Sequence, residues 1–566
     1  MNKNIFQQQL FLGFVNKVNT NIVTTHIPSS KYLSKFYNNG EEFHGGLINS
    51  FVIIEGENLG FLGKVVSAEL PEKERINITS EALKEKDFHP LLKIEVMSMF
   101  DYFSIAFNKS ICEFPNVGAK VFIARKQVID LYIKQIEVNN HTLRTSEFAH
   151  LVNNYQAKVD FSLQTIFSRH AAIVGTTGSG KSWTTSNLIE NIIANNQKAI
   201  LIDATGEYKS LAEANGNKTK MVILGEQHHF SYKKLTIDDL FYLVKPSPNS
   251  QIPKLREAIK SLKLIENAHE ELTHYIEDHP LGIKTLKKRN QPKEPFLQIL
   301  NNNINELSKD NLNFDIRSLA FQIENECIWE NSQRNSAVFG DTENNSLGFC
   351  ATLITRINTL LHELQFNRVF NFTGDTGTID AYEMLDQFVS QNTHNLFYID
   401  LSDLPFAFNI REVVANSIGK IMLSYARESK FRRKPVVLIV DEAHQFLNKS
   451  VSNDFESFKL EAFDNISKEG RKYGLFLCIT TQLPRDIPIG TLSQIGTFLI
   501  HRLINQRDKE IVMNAMPSAN SEMINYLSEL GQGEVILSST EIKTPLLLKI
   551  NEPKAEPDSN TPIFIN

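Results

Sequence analysis

Eight residues, Gly175-Thr176-Thr177-Gly178-Ser179-Gly180-Lys181-Ser182, carry the densest chemical signal in the chain. Glycines at this spacing let successive backbone N–H groups turn toward one anion. Lys181 places an ammonium within reach of the outer phosphates, and the Ser182 hydroxyl is suited to holding Mg2+. The pattern G-x-x-x-x-G-K-[ST] is read as a loop for a triphosphate, with ATP and Mg2+ as the expected cofactors. A glycine-rich surface turn is the competing reading, and the flanks argue against it. Ala171–Val174 is a short buried-strand run, and Trp183, Leu188, Ile189, Ile192 and Ile193 recur at helical spacing after the loop.

Further candidates sit at the ends of other apolar runs. Val436–Val440 ends in Asp441-Glu442. Beside a phosphate loop, one carboxylate orders the Mg2+ shell and the next polarises the attacking water, so Asp441 is assigned to the metal and Glu442 to catalysis. The run Leu475–Thr480 leads into Thr481-Gln482, where a polar side chain can report γ-phosphate hydrolysis; a plain strand terminus is the alternative. Asp203 and Glu207, in Asp-Ala-Thr-Gly-Glu-Tyr, place two carboxylates at a strand end near a ligand crevice, or else form an Asx turn around Gly206. Arg471 and Arg169 are candidates to stabilise transition-state charge, against the commoner use of arginine on a solvated face.

These residues need a scaffold. Four short β-rich runs, Phe51–Ile54, Leu62–Val66, Leu92–Val96 and Lys120–Ile123, point to a small β-barrel over residues 1–150, read as an assembly or docking module. From 151 the rhythm becomes α/β, with strands at Ala199–Asp203 and Met221–Leu224. Residues 228–390 read as a helical insertion. The rhythm resumes over 391–552 with Leu396–Leu401, Val436–Val440, Leu475–Thr480 and Phe498–His501, and then Glu534–Leu537 and Leu546–Ile550 as a closing hairpin. Residues 553–566 form a polar tail. The fold class is α/β: a RecA-like parallel-sheet core split into 151–227 and 391–552 by the insertion, with the barrel ahead of it.

Bulk composition narrows the setting. Net charge is −6, from 59 basic and 65 acidic residues. That argues against a histone-like coating protein but allows a basic pore. Four scattered cysteines form no metal-ligand spacing or disulfide framework and fit a reducing cytoplasm. No signal peptide and no transmembrane run is read, so no membrane partner is expected.

Taken together, the motifs resemble the HerA branch of the HerA–FtsK motor ATPases. The match runs through Arg169-His170, the phosphate loop, Asp203-x-x-Gly-Glu-Tyr, Asp441-Glu-Ala-His, Glu469-Gly-Arg-Lys-Tyr-Gly474, Thr481-Gln482-x-Pro484 and Gly531-Gln-Gly-Glu-Val. Ala204-Thr205 departs from the Pro and His that many relatives carry. The resemblance implies a homo-hexameric ring that threads double-stranded DNA and moves along it by ATP hydrolysis. It implies Arg471 as a finger acting on the neighbouring subunit, Arg169 as acting on the chain's own nucleotide, and Gln482 as sensor. It also implies a nuclease or an NAD-hydrolase-type effector docked on the barrel, in DNA end processing or anti-phage defence.

Phosphate contacts in a pore need Lys and Arg. Two clusters are candidates: Lys284, Lys287, Lys288 and Arg289, and Arg427, Lys430, Arg432, Arg433 and Lys434. Two other functions compete with the translocase. One is an ATP-binding ring that assembles an effector with little DNA movement. The other is a pump of the same superfamily, which the lack of a membrane segment disfavours.

Overall fold

Alternating burial builds the N-terminal strands. Ile22–His26 and the first half of Leu91–Asp101 bury every second residue, the signature of one face on a core. The computed structural model describes residues 5–559 except 20, 39, 73–87, 109–110, 137–142, 153–156, 375–376, 406, 448–449, 453–456, 519–523 and 525. In it, six antiparallel strands close on themselves in the order Ile22–His26, Phe11–Val18, Lys120–Ile123, Phe51–Ile54, Leu59–Glu69 and Leu91–Asp101. The last pairs back to the first, which leaves no open edge in the ring. Leu12, Val23, Val52, Phe61, Ile94 and Val121 fill the interior. The sequence reading located four of these strands. Phe11–Val18 and Ile22–His26 escaped it because asparagine, lysine and threonine occupy much of their outer face.

The chain divides into two compact units, Met1–Asn196 with Thr480–Asn566, and Gln197–Ile479. Besides the barrel, the first unit holds strands in the order Lys158–Val159, Ala149–Leu151, Ile542–Ile550, Glu534–Ser539, Ile495–Ile500, His170–Val174. Only His170–Val174 and Ile495–Ile500 are parallel. The others run antiparallel, because Glu534–Ser539 and Ile542–Ile550 form the terminal hairpin that the apolar runs predict. From the barrel, the buried Lys64 donates to the carbonyl of Pro545 in that hairpin at 3.0 Å. Pro553–Ser559 form neither helix nor strand, and residues 560–566 of the polar tail lie outside the described residues.

The second unit carries an all-parallel sheet in the order Leu475–Thr481, Val436–Val440, Lys198–Asp203, Leu396–Asp400, Thr219–Ile223. Val436–Val440, Lys198–Asp203 and Leu396–Asp400 are buried at every position, as a sheet covered on both faces demands. Between Thr219–Ile223 and Leu396–Asp400 the chain is mainly helical, with Gln251–Asn267, Leu319–Glu326 and Asn344–His362 among its helices. Two short β-pairs interrupt it. One of them, Ile276–Asp278 with Lys284–Leu286, leads into the first basic cluster, of which Lys288 alone is buried while Lys287 and Arg289 stay exposed. Lys288 is buried and meets Glu326 at 2.7 Å, Lys287 meets Glu277 at 2.8 Å and Arg289 meets Asp341 at 2.5 Å. Three of its four cations are thus committed to acidic partners. In the second cluster Arg432 and Arg433 are exposed, while Lys430 lies over the Tyr425 ring. Among the described residues, no helix is long and apolar enough to cross a membrane.

Candidate nucleotide site

In the first unit, the five buried residues of His170–Val174 lead straight into the loop. Gly178 and Gly180 have φ of 71° and 107°, conformations open to glycine and costly for other residues. A Cβ on Gly180 would meet the Gly533 Cα at 2.9 Å, so the loop also needs glycine to pass the C-terminal turn. Gly533 N–H donates to Ser179 O at 2.8 Å and Thr176 N–H to Arg502 O at 2.9 Å. The helix Lys181–Ala194 then starts with Gly180 as its cap and no side-chain cap bond. The N–H groups at such a helix start are anion donors. Leu188, Ile189, Ile192 and Ile193 anchor the helix by burial, each contributing about 1.5–3 kcal/mol.

The sequence-assigned residues of this unit take clear places. Lys181 folds back on Thr176 O, its Nζ 3.2 Å away, and Ser179 Oγ donates to the same carbonyl at 2.6 Å. Ser182 is half-buried on the first helical turn. The Thr177 hydroxyl bonds the Gln482 side-chain oxygen, so the loop and the candidate sensor are in direct contact. Arg169 is exposed at the entrance to the loop strand, and its aliphatic stem covers Gly496.

One residue beneath the loop had no assigned role in the sequence reading. A Cβ on Gly175 would meet the His501 Cβ at 2.5 Å, and His501 Nε2 lies 2.9 Å from the Thr184 hydroxyl. Burial, helped by the Lys181 ammonium, holds the imidazole down to about 3, so it is neutral near pH 7. Its only trace in the sequence is a polar residue ending the run Phe498–Ile500.

The second unit gathers the carboxylates at the ends of its parallel strands. Asp441 is buried and its N–H donates to Ile202 O at 3.0 Å. Its Oδ1 accepts from the Tyr208 hydroxyl at 3.3 Å, and its Oδ2 lies 3.5 Å from the Thr205 hydroxyl. Glu442 follows in the left-handed region, φ 45° and ψ 48°, at a cost of about 1 kcal/mol for a residue with a Cβ. Its Oε2 lies 3.2 Å from His444 Nδ1.

Asp203, the other acid assigned to the ligand crevice, is held in place by four donors. Its Oδ1 accepts from the Thr205 and Gly206 N–H groups at 3.0 and 2.8 Å, and its Oδ2 from the Tyr208 N–H and the Tyr398 hydroxyl, both at 3.0 Å. Burial raises its pKa, opposed by these donors. The carboxylate thus folds the 204–208 turn and sets Tyr208 against Asp441. The three backbone N–H donors make the Asx turn that the sequence also offered around Gly206, and the Tyr398 hydroxyl adds a fourth bond from the neighbouring strand. Glu207 is half-buried in that turn, and Arg471 is exposed in the turn Gly470–Tyr473. Asp400, 5% exposed at the end of the neighbouring strand, adds an acid that the sequence reading did not single out.

Residues 146–347 match the family model described as the central domain of the helicase HerA. That stretch of the chain is similar to the HerA central domain. The HerA match takes in the phosphate loop and the Asp203–Tyr208 turn, while Asp441, Glu442 and Gln482 lie beyond its C-terminal end. A probable helicase of Methanocaldococcus jannaschii is 23% identical over 505 residues, covering 88% of this chain and 84% of its own. From the same organism, a probable DNA double-strand break repair helicase HerA is 24% identical over 426 residues, covering 71% and 75%. Among solved structures, VirB4 of Thermoanaerobacter pseudethanolicus is 14% identical, with 74% of this chain and 99% of that one covered, at a TM-score of 0.47.

Proposed function

We propose that this chain hydrolyses ATP to drive movement along double-stranded DNA, as a homo-hexameric ring in the cytoplasm. The observation that carries the reading is the helix start at Gly180–Lys181, which has no side-chain cap, behind a complete phosphate loop, in a chain that also ends a buried strand in Asp441-Glu442. These residue types fit MgATP. Backbone N–H groups of 175–182 and Lys181 would bind the phosphates, and Ser182 and Asp441 would hold Mg2+, which supplies charge neutralisation on the transferring phosphoryl group. Glu442 would orient and deprotonate the attacking water, with Gln482 reporting the γ-phosphate through Thr177. Arg471 would act across a subunit boundary and Arg169 within its own subunit.

DNA enters through the relatives: one carries double-strand break repair helicase in its name. The barrel of residues 1–150 is the proposed dock for a nuclease or NAD-hydrolase-type effector, in end processing or anti-phage defence. The test is steady-state ATP hydrolysis by the purified protein with and without linear double-stranded DNA, with Lys181→Ala as the blank. Stimulation by DNA that the blank abolishes supports the motor. Turnover indifferent to DNA defeats it in favour of a ring that only assembles an effector.

A further inference from the structure

A cavity of about 540 Å3 lies beside the phosphate loop, within the first unit. Its wall includes Gly180, the last residue of the loop proper, and Trp183, two residues past Lys181 on the first helical turn. The far side is built by His150, Lys549, Asn551 and Glu552. The volume falls in the range of small-molecule sites, and the lining pairs one large aromatic face with a few polar groups.

The walls are set before any ligand arrives. His150 Nδ1 lies 2.9 Å from Asn551 Oδ1. Asn551 Nδ2 donates to Glu147 O at 2.8 Å, and Asn187 Nδ2 donates to Asn551 O at 3.1 Å. Lys549 is tied to the Gln532 carbonyl, and the turn that follows is bonded to the loop through Gly533 N–H and Ser179 O. A preformed pocket loses little entropy on filling.

We propose that this cavity receives the purine base and ribose of the bound nucleotide, with Trp183 as the stacking wall. The inference rests on reading Gly175–Ser182 as a triphosphate loop and adds what that loop cannot supply. Phosphates held by backbone N–H groups carry no information about the base. A nucleotide seated there has this cavity directly beside Gly180 for its sugar and base. An indole face gains most from the larger π surface of a purine, so Trp183 confers affinity and a preference for purine over pyrimidine nucleotides.

The sequence contains two tryptophans, and the other, Trp329, is 52% exposed in the second unit. Trp329→Phe therefore isolates the Trp183 emission. In that background, with Mg2+ present, ATP, CTP and inorganic tripolyphosphate are titrated by fluorescence and calorimetry. The expected result is that ATP perturbs the emission and tripolyphosphate does not. Trp183→Ala then weakens ATP about tenfold or more and leaves tripolyphosphate unchanged, and Trp183→Phe restores most of the ATP affinity. Equal losses for ATP and tripolyphosphate, or no loss for either, overturn the base site while leaving the phosphate loop standing. Failure of the unsubstituted protein to bind either ligand sinks the loop reading and this inference with it.

Discussion

His501 Nε2 and the Thr184 hydroxyl stand 2.9 Å apart on the underside of the phosphate loop. The imidazole there is buried and held down to about 3 from an ordinary 6.5. Below pH 6.5 the unfolded chain takes up a proton that the folded chain refuses. This contribution is therefore complete above pH 6.5 and is lost as pH falls toward 3, by up to about 5 kcal/mol. Between pH 6.5 and 5 the loss is about 2 kcal/mol. Urea unfolding at a series of pH values will show a shallower acid limb for His501→Gln than for the parent; identical limbs would mean that His501 is not held neutral.

Glu442→Gln keeps the side-chain volume but removes the carboxylate proposed as the base. We expect ATP binding to persist and turnover to fall by about 100-fold or more. Nucleotide affinity measured alongside hydrolysis separates the two effects. Unchanged turnover would remove Glu442 from water activation.

Tyr208 links the Asp203 turn to Asp441 through its hydroxyl at 3.3 Å. Tyr208→Phe deletes one hydrogen bond, worth about 1 kcal/mol, and should lower turnover several-fold with little change in unfolding midpoint. Asp203→Ala is different. It strands three backbone N–H groups and the Tyr398 hydroxyl, so a loss of about 3 kcal/mol or more in denaturant unfolding is expected. A neutral Asp203→Ala would show that the turn holds itself.

Within the insertion, Lys288 and Glu326 form a buried pair at 2.7 Å, and Glu326 also accepts from Ser261 and Gln322 at 2.6 and 2.8 Å. Lys288→Ala leaves that carboxylate short of its cation, at a cost of about 3–5 kcal/mol. Lys288→Met with Glu326→Leu should recover most of it. If Lys288 served DNA instead, its removal would weaken DNA binding and leave stability alone.

The backbone shape of the loop was legible in Gly175–Ser182 because residue type dictates it: Gly178 and Gly180 stand where φ is positive. The strands ending at Val174, Asp203 and Val440 were equally plain, since a strand buried on both faces must be apolar along its length. The terminal hairpin followed from two apolar runs a short turn apart. Other features arise from contacts between residues distant in the chain. Barrel closure needs Ile22–His26 to pair with Leu91–Asp101, which no local pattern encodes. His501 lies under Gly175, and Tyr398 reaches Asp203, because parallel strands align residues that the sequence keeps far apart. Lys288 reads as a surface cation until folding buries it against Glu326. The cavity beside Trp183 exists only because the C-terminal strand returns to the helix that the phosphate loop begins.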